Sequence, residues 1–470
     1  MIALTLDRIA EITQSRIGPS ARPESIVTGP VVIDSRQVRP GALFVALGGE
    51  RVDGHDFADA AIAGGATAVL GSRPVAAPQL LVDGGDDDVV AALARLARNV
   101  AGRLTDADIV GVTGSSGKTS TKDLLAQVLG RLGPTIAPVG SFNNEIGHPL
   151  TVLRADEDTR FVVLEVAARG IGHIAHLCEI APPRIGVVLN VGSAHMGEFG
   201  SRANIAQAKG ELVEALPAAA DGGVAVLNAD DAAVLGMAGR TRARVVTYGL
   251  SEDADVRARD VASDPAGRAR FTLEIGGRSV PVQLALVGVH QVHNALAVAA
   301  VAAEYGMDAD AIAAALGAAG PVSRWRMEVT EIDGGVTIVN DAYNANPESM
   351  AAALRTLAVL AEQRRAIAVL GHMAELGDGG RDEHEAIGRL AAETGVAALV
   401  TVGEHAAPIA DGARGVAGWQ GEIVRVSDAA EAAAAVRERL RSKDVVIVKG
   451  SRVAGLEHVA ERLVSGEDAK

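Results

Sequence analysis

The sequence predicts an α/β protein of three domains: a small α/β domain over residues 1–105, a central P-loop domain with a mostly parallel sheet over 106–320, and a Rossmann-like, doubly wound domain over 321–470. Three observations carry this reading. The chain has 470 residues, too many for a single hydrophobic core. An apolar stretch, DADIVGVTG, runs into a glycine-rich loop and then an amphipathic helix, the context a phosphate-binding loop requires. In the last third, short apolar runs alternate with alanine-rich helical segments, which is the rhythm of βαβ units.

Residues 1–105 contain VVIDSRQVRPGALFVALGGERVDGHDF and AAIAGGATAVL, read as short strands, turns and one helix. In the central region the segment after the loop places Leu124, Leu125, Val128, Leu129 and Leu132 on one helical face. The runs FVVLEV, RIGVVLNV, GVAVLN and ARVVTYG read as buried strands of a largely parallel sheet. ARFTLEIGGRSVPVQLAL alternates around Gly276-Gly277 as a hairpin does. The third region supplies VTIVN, AIAVLGHM, AALVTVG and DVVIVKG, with Asn340, Asp341, His372 and Lys449 at strand ends, where open α/β sheets bind ligands.

Composition narrows the function classes. Hydrophobic residues at 48% and charged residues at 22% describe a soluble globular protein. Aromatic residues are only 2%, so cores are built from Ala, Val, Leu and Ile, and a base-stacking platform is not expected. Lys and Arg total 44 against 59 Asp and Glu, a net charge of −15 that opposes nucleic acid and anionic membrane surfaces. One cysteine, Cys178, excludes an internal disulfide and fits a reducing compartment. MIALTLDRIAEITQ lacks the apolar core of a signal peptide, and no apolar run approaches the roughly 18 residues of a membrane span. A cytoplasmic monomer, not integral to the membrane and acting on small molecules, is expected.

The chemistry centres on GVTGSSGKTS, Gly111 to Ser120. The usual spacing, G-x-x-x-x-G-K-[ST], would place a glycine at 112, which is Val112, while Gly111 lies one position too early. Gly114 and Gly117 let the backbone approach phosphate oxygens, and the N–H groups of Thr113, Ser115, Ser116 and Ser120 lie in or beside the loop. Lys118 reads as the β/γ-phosphate contact and Thr119 as a hydroxyl ligand to Mg²⁺. The other reading is a glycine-rich strand-helix turn without a ligand. Glu165, closing FVVLEV, is placed to complete a metal site. Asn190 and His195 lie at and just past another strand end; a lone histidine there is more often structural, but the shared location with the loop and Glu165 favours a ligand. Lys209, in IAQAKGEL, reads by itself as an exposed helix lysine.

TGSSGKTS, FNNEIGHPLT, LEVAARGIGHI, NVGSAHMGEFGS, AKGEL, HQVHNALAVAA, RWRMEV, NDAYNANPESM, GHMAELGD and VKGSR occur in this order over nearly the whole chain, and together they resemble the Mur ligase superfamily of ATP-dependent amide ligases of peptidoglycan precursor synthesis. The resemblance implies that Thr119, Glu165 and His195 help hold Mg²⁺, of which two ions are expected, and that Lys209 matches a lysine carbamylated in several of these ligases. It implies that Asn294 contacts adenine, that Arg326 and Asp341 reach ATP when the domains close, and that Lys118, Glu165, His195, Lys209 and Arg326 carry catalysis. The segment DSRQVRPGALFVAL is similar to a uridine-nucleotide-binding domain, which assigns Ser35 and Arg36 to substrate binding, alongside Asn143, Asn144, Asn344 and Asn346. Asn344 and Asn346 read equally well as Asx-turn residues before Pro347.

The third-domain motifs imply UDP-N-acetylmuramoyl-tripeptide and D-alanyl-D-alanine as substrates, activated through an acyl phosphate with release of ADP. The tripeptide-forming ligase and folylpolyglutamate synthase are the alternatives within the superfamily; the D-N-P-R tetrapeptide typical of the former is absent. A P-loop switch ATPase, a rival of another class, would leave the first and third domains without a role. Two positions depart from the family pattern: Arg169 in EVAARG, read as a substrate contact or a solvated arginine, and His372, where Asp is usual and which is given no catalytic role.

Overall fold

The computed structural model describes residues 1–49, 52–193 and 196–466. Three successive α/β units appear in chain order. The first is built on a five-stranded sheet in the spatial order Arg16–Ile17, Gln79–Leu81, Ala68–Gly71, Leu43–Val45, Val31–Val32, with Leu4–Thr5 pairing separately against Ile26–Val27. Three α-helices accompany it: Leu6–Thr13, Ala58–Ala63 and Asp86–Arg103. The reading of one helix was an undercount. Helices of eight and six residues complete too few turns to display a 3.6-residue period. The long helix opens with Asp86, Asp87 and Asp88 against its positive dipole end, and buries Val89, Leu93, Leu96 and Val100.

The central unit is a nine-stranded sheet. Its order is Arg278–Val287, Arg268–Ile275, Val256–Ser263, Arg244–Gly249, Val224–Asn228, Ile185–Val188, Asp108–Thr113, Phe161–Glu165, Thr135–Ile136. All neighbours are parallel except the first two pairings, at the hairpin edge. The middle strands are buried along nearly their whole length, as strands covered on both faces must be. Register does the positioning: Glu165 lies beside Val112, and Val188 beside Thr113. Three strands therefore end together, and the loops that follow them converge. The helix after the P-loop stops at Leu129, so Leu132 lies past its end, half-buried against the same core.

The third unit is a six-stranded sheet ordered Glu328–Ile332, Val336–Asn340, Val445–Lys449, Ala366–Gly371, Ala398–Val402, Glu422–Val426, parallel except for its first pair. Glu422–Val426 carries charges and is only half-buried, the composition of an edge strand that apolar patterning does not reveal. Asn340 pairs with Val448, and Leu370 with Lys449, so the polar strand ends share one rim.

Candidate active site

The P-loop follows Thr113 and leads into the helix Lys118–Leu129. Gly117 has φ +82°, and a Cβ there would stand 2.7 Å from Asn294 Oδ1, so the position tolerates no side chain. Gly111 belongs to the strand, where a Cβ would press on Leu212 at 3.0 Å. Asn190 holds the loop from behind: its Oδ1 accepts from Ser116 N at 2.9 Å, its Nδ2 donates to Ser116 O at 3.2 Å, and its carbonyl accepts from Ser115 N at 3.1 Å. Gly192 N donates to Ser115 Oγ at 2.9 Å. A strand-end asparagine thus fixes the loop conformation before any phosphate arrives.

At the helix start, Thr119 Oγ1 bonds to Glu165 Oε2 at 3.0 Å and to Ser141 Oγ at 2.8 Å, while Asn143 Nδ2 donates to Glu165 Oε1 at 2.7 Å. Glu165 and Thr119 are buried. Ser141 escaped the sequence reading because a serine in an irregular loop carries no pattern. Lys118 Nζ donates to Gly114 O at 2.6 Å. Its pKa lies below the ordinary lysine value, chiefly through desolvation, which outweighs the attraction of Glu165; the nearby Arg326 adds to the lowering.

Lys209 is buried at 5% exposure, not on the surface as its helical pattern alone implied. No hydrogen bond or ion pair to its amine is found among the described residues. Desolvation, and secondarily the charge of Lys118, push its pKa well below the usual value. His195 lies outside the described residues.

The third domain closes the site. Arg326 Nη2 donates to Thr119 Oγ1 at 3.2 Å, with its guanidinium carbon 4.2 Å from the centre of the Tyr343 ring. The flanking residues Trp325 and Met327 have φ of +60° and +52°, a left-handed conformation held by the surrounding structure. Asp341 does not face the cleft: its carboxylate is buried, accepting from Lys449 Nζ at 2.6 Å and from Met327 N at 3.1 Å. It therefore supports the backbone beside Arg326. Asn294 likewise lies behind Gly117, bonded to Gln291 at 2.8 Å. Ser35 and Arg36 sit on a 3₁₀ turn of the first domain, with the exposed Arg36 paired to Asp34.

A cleft of about 380 Å³ lies between the domains, lined by the P-loop, Asn143, Asn144, Glu165, Arg169 and His173 on one side and by Arg326, Tyr343, Asn344, Asn346 and Arg452 on the other. Asn144 Oδ1 accepts from Gly147 N at 2.9 Å, in the turn that leads into the helix Gly147–Val152. Asn346 is the N-cap of the helix Pro347–Leu360, accepting from Ser349 N at 2.8 Å, and its Nδ2 reaches Ser115 O of the P-loop at 3.2 Å. Among the described residues, Asn344 Nδ2 has no such role, and its Oδ1 accepts from Ala345 N at 2.9 Å. Asn346→Ala should therefore weaken ATP binding and lower the melting temperature, at a cap cost of about 1 kcal/mol. Asn344→Ala should raise KM for the second substrate with stability unchanged. Initial rates at varied ATP and varied amine substrate distinguish the two.

Fold and site together define a P-loop enzyme whose cleft beside the loop is lined on its far side by an arginine from a separate Rossmann-like domain. The chain belongs to the Mur ligase family: its residues 30–101 match the Mur ligase family catalytic domain, 112–302 the Mur ligase middle domain, and 325–452 the Mur ligase glutamate ligase domain. It is 49% identical to the UDP-N-acetylmuramoyl-tripeptide–D-alanyl-D-alanine ligase of Mycobacterium tuberculosis (strain ATCC 25618 / H37Rv), over 99% of each chain. To the ligase of the same name from Escherichia coli (strain K12) it is 36% identical, over 98% of this chain and 99% of the other. Among solved structures, MurF from Acinetobacter baumannii superposes with a TM-score of 0.85 at 29% identity, covering 98% of this chain and 99% of that one. MurF ligase from Thermotoga maritima in complex with ADP gives 0.78 at 32%, covering 93% and 98%.

Proposed function

We propose that this protein joins D-alanyl-D-alanine to UDP-N-acetylmuramoyl-tripeptide by an amide bond, using ATP and releasing ADP and phosphate. The observation that carries the reading is the meeting of P-loop and third domain in one cleft, with Arg326 at Thr119, in a chain related end to end to ligases of that name. ATP's γ-phosphoryl group passes to the tripeptide's terminal carboxylate, breaking the bond to ADP and forming an acyl phosphate. The dipeptide's amine attacks the acyl carbon, phosphate departs with the bonding pair, and the amine gives up a proton. Both steps gather anions, and the P-loop N–H groups, Lys118 and Arg326 neutralise them. The first domain, through Ser35 and Arg36, takes the uridine nucleotide.

The residues present fit Mg²⁺. Thr119, Ser141 and Glu165 offer oxygen donors only, and no group of three His, Cys, Asp or Glu among the described residues could hold a metal by itself, so phosphate oxygens would complete the shell. Bound Mg²⁺ supplies charge neutralisation at the transferring phosphoryl group. Lys209 is buried, no counter-ion meets its amine among the described residues, and desolvation pushes its pKa down, which favours the form that adds CO₂, losing a proton, to become a carbamate; that anion, with His195, would hold a second Mg²⁺. The cleft is complete within one chain, in keeping with a monomer. One buried cysteine without a disulfide is in keeping with the cytoplasm. No helix of the described residues is long and apolar enough to cross a membrane.

The test offers UDP-N-acetylmuramoyl-tripeptide and ATP with D-alanyl-D-alanine, meso-diaminopimelate, L-lysine or glutamate, and follows phosphate release. Release should require D-alanyl-D-alanine. Release with glutamate alone would overturn the assignment.

A further inference from the structure

On the helix Lys118–Leu129, Thr119, Asp123 and Gln127 are spaced four residues apart and share one stripe. Each of the three holds a different residue of the segment that enters the third domain. Gln127 grips Gly320 from both sides, Oε1 accepting from Gly320 N and Nε2 donating to Gly320 O, each at 3.0 Å. Its remaining amide proton goes to Asp123 O at 3.1 Å, so the side chain is fully used. Asp123 Oδ2 accepts from Ser323 N at 3.2 Å, while its other oxygen pairs with the buried Lys122, which also donates to Pro138 O at 2.9 Å. Thr119 receives Arg326. The segment 320–326 therefore runs antiparallel along the P-loop helix, stepping down one stripe. Beyond Arg326 the next anchor is Met327 N on Asp341, within the third domain.

We propose that this stripe is a ruler that sets the register of Arg326, with Gln127 and Asp123 as positioning residues for phosphoryl transfer. The proposal rests on the role given above to Arg326. The geometry supports it in two ways. Arg326 lies between residues with positive φ, so the backbone that presents it does not reach this position by local preference and must be held from outside. Downstream, Tyr343 N donates to Trp325 O at 3.3 Å and Asp341 takes Met327 N, while the upstream anchors, Gly320 and Ser323, lie on the same helix that carries Thr119, so the stripe sets where the incoming segment starts relative to Thr119. A transfer step that depends on sub-ångström placement is sensitive to such an index.

The experiment uses the full-length enzyme with all three substrates. Gln127→Glu keeps size and the acceptor but turns the amide donor into an oxygen facing the Gly320 carbonyl. It should lower kcat about tenfold while KM for ATP stays within about twofold. Gln127→Ala should do likewise, and one glycine inserted after Pro321 should do more, since it displaces Arg326 from Thr119. In an Arg326→Lys background, Gln127→Glu should add no further loss, because its effect passes through that side chain. Melting temperature and far-UV circular dichroism of each variant report folding separately. Wild-type kcat in both Gln127 variants, or losses that multiply with Arg326→Lys, would overturn the ruler while leaving the ligase assignment standing. A wild-type enzyme inactive on D-alanyl-D-alanine would instead sink the assignment.

Discussion

Replacing Lys118 by alanine is expected to lower kcat/KM by about a thousandfold, or about 4 kcal/mol of transition-state stabilisation. The reason lies in the arrangement of charge. Lys118 shares the head of the cleft with Glu165 and Arg326, and its ammonium is held on Gly114 O, one loop turn from where phosphate oxygens would lie. It is partly desolvated already, so little reorganisation is needed when a polyanion arrives, and the loss of its charge cannot be compensated by solvent. Gly117 and Asn190 keep the loop in shape without it, so melting temperature should change little. Coupled measurement of ADP formation at varied ATP, extending below KM, checks the effect. A loss below tenfold would remove Lys118 from the transition state and leave the P-loop amides and Arg326 to carry the charge.

The second large effect concerns stability in acid. His148, in the helix Gly147–Val152, is 1% exposed, and neither ring nitrogen has a hydrogen-bond partner of ordinary geometry among the described residues. Burial pushes its pKa from 6.5 down to about 4, with the Leu177 backbone working weakly against the shift and His176 weakly with it. Because the folded pKa is depressed below the unfolded one, the unfolded chain takes up the proton first as pH falls. Above about pH 6.5 both states are neutral and the site contributes nothing; between about 6.5 and 4 stability is lost progressively, to a limit of about 3 kcal/mol. His148→Leu removes the titrating group at similar volume. Between pH 7.5 and pH 5 the variant should lose about 2 kcal/mol less unfolding free energy than the wild type, read from urea denaturation at each pH. Parallel losses in the two proteins would show that His148 does not titrate in this window.

Much of this molecule is legible in one dimension. The strand, loop and helix around Lys118 are local, and so is the glycine that only a positive φ explains; a reader of the sequence can place Thr119 and Glu165 together because strand ends of a parallel sheet converge. The short helices of the first domain and the charged edge strand Glu422–Val426 were harder, since neither extends long enough or is apolar enough to show a period. The site divides in the same way. Lys209 looks like a surface lysine on its helix and is buried because the helix packs against the sheet on that face. Asp341 looks like a ligand at a strand end and instead holds Lys449 and the backbone next to Arg326.

The sequence by itself determined the phosphate-binding loop, the order of the strands that bear chemistry, and the motifs on which family membership rests, since each is written in neighbouring residues. Only the tertiary structure decided that Asn190 clamps the loop, that Ser141 joins Thr119 and Glu165, and that Gln127 grips Gly320 across 193 positions of chain. Hydrogen bonds of that kind depend on where two distant backbones come to rest, to within a few tenths of an ångström, and no local pattern encodes such a distance.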